Sequence, residues 1–242
     1  MNYLKKYKAG LAAALFTVML ISCQKSFDEK ITLQSDFSNS AIVQVHVATV
    51  NASRNYLYVD ANQVTGALMT SGSVFPTTGT GFAVAPGPRA FLVRDTLRTA
   101  TQVPLSFAEN LQVNKRYTIF LYDTINAPKQ KTVETTIVTP TDTTCRIRFA
   151  NFIYNPAAVA NVDVFSFSRN ANIFTNIAVT DVTGYIPYAS RVSVDTFYVR
   201  ETGTTNLLYK SSMSNLTEKR NYTFVYRGSH RGTKTSTLFT TY

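Results

Sequence analysis

The sequence predicts an all-β chain: two tandem immunoglobulin-like antiparallel β-sandwiches behind a removable export leader. Three observations carry this. Val43, Val45 and Val47 alternate with Gln44 and His46, and Val162 and Val164 flank Asp163, a period of two that belongs to strands and not to helices. Short runs rich in Val, Ile, Thr, Tyr and Phe are separated by Gly, Pro, Asn and Asp, as in all-β proteins. The third observation is an internal repeat.

Phe91-Leu92-Val93-Arg94-Asp95-Thr96 recurs as Phe197-Tyr198-Val199-Arg200-Glu201-Thr202, and Asn110-Leu111 followed by Lys115-Arg116-Tyr117-Thr118 recurs as Asn215-Leu216 followed by Lys219-Arg220-Asn221-Tyr222-Thr223. Matches in one order at nearly one offset imply two related units. We place them at 41–139 and 145–242, joined by a linker at 140–144. Each has room for about seven short strands, which suits an immunoglobulin-like sandwich. Tyr117 and Tyr222 sit where a tyrosine corner would return a hydroxyl to the backbone just upstream, with a plain core Tyr as the alternative.

The leader occupies residues 1–22. Lys5, Lys6 and Lys8 precede an apolar run from Ala9 to Ile21, then Ser22 and Cys23. That order is a secretory signal, and the run is shorter than the roughly 20 residues of a spanning helix. Leu20-Ile21-Ser22-Cys23 resembles the bacterial lipobox, which implies a lipoprotein signal peptide with Cys23 acylated and inserted in the membrane. Gln24, Lys25, Asp28 and Glu29 then resemble the acidic export signal of Bacteroidetes lipoproteins, interrupted by Ser26-Phe27. The resemblance implies an outer-membrane, cell-surface address, with the periplasmic face as the alternative. Residues 23–40 form the lipidated Cys and a polar tether.

Once Cys23 carries lipid, Cys145 is the one remaining thiol, so no intramolecular disulfide forms; its place at the start of an apolar strand predicts a buried, inert group. The formal charge of +10 becomes +7 without the three leader lysines. The excess falls mainly in the second unit, and the chain order predicts that this unit lies farthest from the membrane.

Cys145-Arg146-Ile147-Arg148-Phe149-Ala150-Asn151-Phe152-Ile153-Tyr154-Asn155-Pro156, followed by Asn161-Val162-Asp163-Val164-Phe165, resembles the opening of domain-of-unknown-function family 4397. Ile42 to Ala48 followed by Tyr56-Leu57-Tyr58-Val59-Asp60 is similar, without the Pro-containing loop. The resemblance implies exported β-sandwich modules and brings no activity or site with it.

Chemistry is sparse. The chain has two histidines: His46 lies in a strand on the face opposite Val43, Val45 and Val47, where a hydrogen-bonded structural role is expected, and His230 lies in a hairpin tip facing solvent. No hydrolase, metalloprotease or phosphate-loop motif is present, and neither a Cys/His cluster nor EF-hand spacing points to a metal. The acidic residues are scattered, and Asp95 and Glu201 recur beside Arg94 and Arg200 as ion-pair or turn residues of a repeated scaffold. We therefore expect no enzyme, no metal and no cofactor.

A non-enzymatic binding or scaffolding module remains, with a glycan, lipopolysaccharide or an envelope protein as partner and no nucleic acid. The candidate ligand contacts are the basic residues Lys219, Arg220, Arg227, His230, Arg231 and Lys234, read as converging on the last hairpin. Aromatic pairs Tyr56/Tyr58, Tyr185/Tyr188 and Tyr222/Tyr226 are the alternative sugar platforms, with core packing favoured for them. A fimbrial or adhesin subunit is the second functional class, and a glycan-active enzyme the third.

Overall fold

A computed structural model describes residues 37–77, 81–97, 102–190 and 194–241. The segment 1–22 read as a signal peptide, Cys23, and Gln24, Lys25, Asp28 and Glu29 read as an export signal all lie outside the described residues. After a 3-10 turn at Phe37–Asn39, all regular structure among the described residues is strand. The first half contains β1 (Ala41–Val47), β2 (Tyr56–Val59), β3 (Asn62–Gln63), β4 (Val74–Phe75), β5 (Phe82–Val84), β6 (Gly87–Arg94), β7 (Leu105–Leu111), β8 (Arg116–Thr124) and β9 (Ala127–Glu134). The second half contains β10 (Thr144–Tyr154), β11 (Val162–Ser166), β12 (Ala171–Ile177), β13 (Ile186–Ala189), β14 (Asp195–Glu201), β15 (Leu207–Met213), β16 (Asn221–Ser229) and β17 (Lys234–Thr240).

Each half is a β-sandwich. One sheet of the first half has the order β4-β1-β8-β9, with β5 also on β1, and the other β3-β2-β6-β7. The second half repeats this as β13-β10-β16-β17 and β12-β11-β14-β15. Strand pairing is antiparallel except between β1 and β8 and between β10 and β16, which run parallel. This refines the all-antiparallel expectation. A parallel pair needs a long crossover, and the intervening strands of each half supply it.

Three apolar layers hold the four sheets together. Val43, Val45, Val47, Ile119 and Leu121 meet Leu57, Val59, Phe91 and Val93 inside the first sandwich. Ile147, Phe149, Tyr222 and Phe224 meet Val162, Val164, Phe197 and Val199 inside the second. The third layer lies between the sandwiches, where Ala48, Val74 and Phe120 pack on Ala150, Phe152, Val225 and Phe239. The Phe120 and Phe152 rings stack with centroids 4.6 Å apart.

The polar faces of β1, β8, β10 and β16 are therefore buried too. Gln44 Nε2 donates to the Thr240 carbonyl at 3.0 Å, and Asn221 Nδ2 to the Val138 carbonyl at 3.0 Å. Arg148, 2% exposed, has no carboxylate partner among the described residues. Its guanidinium instead donates to the hydroxyls of Thr223, Thr135 and Thr118 and lies 4.9 Å from the Tyr185 ring centroid. Burial pulls its pKa below the usual arginine value.

These contacts set the direction of the two halves. Thr118 lies near Arg148 and Tyr122 near Phe152, so β8 and β10 run in the same sense. The sandwiches stand side by side, sheet on sheet. Residues 140–144 turn the chain back, and the outer faces of β8 and β1 pack against β10 and β17 respectively. Pro140 is buried, and Asp142 Oδ1 accepts the Thr144 amide at 3.0 Å.

Both tyrosine corners form. The Tyr117 hydroxyl accepts the Gln112 amide at 3.1 Å, and the Tyr222 hydroxyl accepts the Thr217 amide at 2.9 Å. The turns just before β8 and β16 also correspond, with Asn114 and Lys219 both left-handed. Their amides bond to the Ser40 and Thr144 carbonyls, each at 3.0 Å.

Candidate functional site

β16 separates the six basic residues that the sequence grouped on one hairpin. Lys219 and Arg220 precede its first residue, while His230 and Arg231 follow its last. A nine-residue strand spans about 30 Å, so one ligand contact cannot use both ends. Lys219 serves the left-handed turn, and the Arg220 carbonyl accepts the Arg146 amide at 2.8 Å. Lys234 begins β17 opposite Gly228. Arg227 points across to the first sandwich, where Nη1 donates to Ser71 Oγ at 3.1 Å while Nε donates to Thr237 Oγ1 at 2.7 Å.

The turn between β16 and β17 is nonetheless where the surface becomes concave. Gly228 has φ +97° and is buried, and the Ser229 amide returns to the Thr233 carbonyl at 2.9 Å. The His230 amide donates to the Tyr154 carbonyl at 2.8 Å, holding the turn against the end of β10. A cleft opens on each side of it.

The first cleft, of about 290 Å³, is lined by His230 and Arg231 of the turn, Asn155 and Ala157 to Ala160 of the β10–β11 loop, and Glu201, Asn206 and Leu208. Asn206 Nδ2 donates to Glu201 Oε2 at 3.1 Å. Asn155 Nδ2 donates to the Ala157 carbonyl at 2.8 Å, whereas its buried Oδ1 has no hydrogen-bond partner among the described residues. Acceptors, donors and an apolar patch thus share one small space, with the charged residues Glu201 and Arg231 in its lining.

The second cleft, of about 570 Å³, lies between the sandwiches. Ser229, Gly232, Thr233 and Thr235 form one wall, Val50, Asn51, Ser71 and Thr124 the other, and Tyr154 and Arg227 also line it. The cleft-lining side chains are mostly hydroxyls, beside one guanidinium.

His46 takes part in neither cleft. It is fully buried between Phe120 and Phe239, stacked on the latter at 5.4 Å. The hydrogen-bonded role expected for it is corrected: neither ring nitrogen has a hydrogen-bond partner among the described residues. Burial, aided by the Arg227 charge, lowers its pKa to about 3, so the ring is a neutral packing group. Cys145 is fully buried, and burial pushes its thiol up to about 11.

Among the aromatic pairs, Tyr58, Tyr188, Tyr222 and Tyr226 are buried, as core packing requires. Outward-facing aromatics that the sequence did not single out include Phe165, Phe167 and Tyr198 on β11, the turn after it and β14, with Arg200 4.0 Å from the Phe165 ring centroid. The repeat explains that arginine. Arg94 lies over Tyr58 at 4.9 Å in the matching place of the first half. Glu201, read as an ion-pair or turn residue, bonds within the turn after β14 and also lines a cleft, while Asp95 lies 3.6 Å from Arg54. Among the described residues no cluster of three or more His, Cys, Asp or Glu is placed to hold a metal.

No protein-family model matches the chain, and no curated protein matches it. Solved structures that resemble it include a family 26 carbohydrate-binding module of Eubacterium rectale Amy13K in complex with maltoheptaose, at 10% identity over 81% of this chain and 95% of that one, with a TM-score of 0.26. An α-glucan-recognising family 41 carbohydrate-binding module from streptococcal virulence factors matches at 11% identity over 83% of this chain and 97% of that one, again with a TM-score of 0.26. Similarity at that level carries no functional argument.

Proposed function

We propose that this chain is a cell-surface lipoprotein of the domain-of-unknown-function 4397 type, anchored through Cys23, whose double sandwich is a non-catalytic glycan-binding module. The observation that carries the reading is the placement of the clefts. Ala41 begins β1, whereas Val50 and Asn51 beyond the far end of β1 and Thr124 at the far end of β8 line the larger cleft, and the smaller one adjoins the same turn. Seven strand residues separate the ends by roughly 20 Å, so both clefts lie at the end of the double sandwich opposite Ala41. Side-by-side packing gives both halves a share in this far end.

The address is tested by Thr233→Cys and a membrane-impermeant maleimide on intact cells. Thr233 is exposed, and the buried Cys145 thiol does not compete. Labelling of intact cells supports surface display; labelling only after the envelope is broken places the body on the periplasmic face and overturns it. Binding is tested by a glycan array probed with the full chain, on which retention of no saccharide overturns the glycan reading.

A further inference from the structure

Arg227 differs from the other charged residues of the cleft region. Lys129 is neutralised by Asp123 at 2.7 Å, while no ion pair among the described residues includes Arg227. Its side chain is bonded to two hydroxyls, Ser71 and Thr237. Arg148 has a comparable hydroxyl shell but is sealed between the sheets, whereas Arg227 lines an open cleft. Burial pulls the Arg227 guanidinium below its usual pKa, a mark of incomplete solvation without a counter-charge. A guanidinium in that state recovers interaction energy from an anion, and most specifically from a planar one that matches its fork.

The surroundings narrow the class of anion. Ser229, Thr233 and Thr235 offer hydroxyls on one wall and Asn51 an amide on the other, with the Tyr154 ring beside them. Several hydroxyl-bearing residues and one aromatic residue suit a sugar ring. One cation matches one negative charge, so a carboxylate fits better than a doubly charged phosphate. The volume falls within the roughly 300–1,000 Å³ of small-molecule sites.

We infer that the cleft between the sandwiches binds the carboxylate of an acidic saccharide, a uronic acid residue, with Arg227 receiving the carboxylate and the turn hydroxyls receiving the ring. This rests on the glycan-binding reading above and names its ligand class and site. Gly72 is part of the same device. At φ +94°, its missing Cβ leaves the space that the Arg227 guanidinium occupies. The first sandwich thereby positions a binding group of the second.

The test is binding of the detergent-solubilised full chain to uronate oligosaccharides, to neutral oligosaccharides of the same linkage and to inorganic phosphate. Uronates should bind at least about tenfold more tightly than the neutral series and weaken as salt is raised, and phosphate should not displace them. Arg227→Lys keeps the charge, loses the fork and should weaken uronate binding about tenfold. Thr233→Trp, at an exposed position, should block the cleft while leaving the melting temperature unchanged. Equal binding of neutral and acidic saccharides, displacement by phosphate, or unchanged uronate binding by a folded Thr233→Trp protein overturns the inference. Retained neutral binding leaves the general glycan reading standing; retention of no saccharide removes both.

Discussion

Arg148 Nη2 donates to the Thr118 hydroxyl at 2.9 Å across the boundary between the two sandwiches. Its Nε and Nη1 reach Thr223 and Thr135, and Thr118 and Thr135 are themselves 2.9 Å apart. A buried cation is therefore solvated by hydroxyls from both halves. Removing it as Arg148→Ala leaves a cavity and unpaired hydroxyls and should cost about 2–4 kcal/mol. Because the same interface holds a sheet-on-sheet core, the wild-type chain should unfold in one calorimetric transition. Two resolved transitions would show that the halves are independent.

The tyrosine corners make a paired prediction. Tyr117→Phe and Tyr222→Phe each remove one hydroxyl that accepts a backbone amide. Each should cost about 1 kcal/mol in urea unfolding. The residues belong to different sandwich cores, so the double substitution should cost the sum. A change near zero at both sites would reduce the corners to ordinary core tyrosines.

His46 makes stability depend on pH. Its folded pKa of about 3 lies below the unfolded value of 6.5, so between those values the unfolded chain holds more protons. Stability conferred by the neutral ring is present above about pH 6.5 and is lost as pH falls toward 3, by an amount on the order of 4 kcal/mol. His46→Phe, which keeps a ring against Phe120 and Phe239, should flatten the pH 4–7 stability profile. A variant as acid-sensitive as the wild type in that window would refute the assignment.

Two glycines make the last prediction. A Cβ on Gly72 would collide with the Arg227 guanidinium, and one on Gly228 with the Thr233 carbonyl, both at positive φ. Each Ala substitution should cost about 1–3 kcal/mol. Gly232 has no positive φ and meets its nearest neighbour, Ser229, at 3.4 Å, so Gly232→Ala should be nearly neutral. Thermal unfolding of the three variants checks the order, and an equally costly Gly232→Ala would contradict it.

The sequence revealed the strands, the repeat and the corner tyrosines because each has a local signature: period two, matched segments at one offset, or a Tyr at a fixed place before a strand. It did not reveal the burial of Gln44, His46 and Arg148. Alternation identifies two faces of a strand and is silent about whether the polar one meets water or another sheet. The basic set was misjudged for a related reason. Lys219 and Arg231 are close in sequence, but an extended strand carries them to opposite ends. Asn155 of the β10–β11 loop meets Glu201 and Asn206 of the β14–β15 turn, and no spacing rule connects those two segments.

Hydrogen exchange of the full chain, with and without a saccharide retained on the glycan array, tests the central claim most directly. The account predicts added protection in residues 229–233, in the 155–160 loop and around Asn51 and Ser71. Protection confined to the outer face carrying Phe165, Phe167 and Tyr198, with the β16–β17 turn unchanged, would contradict it.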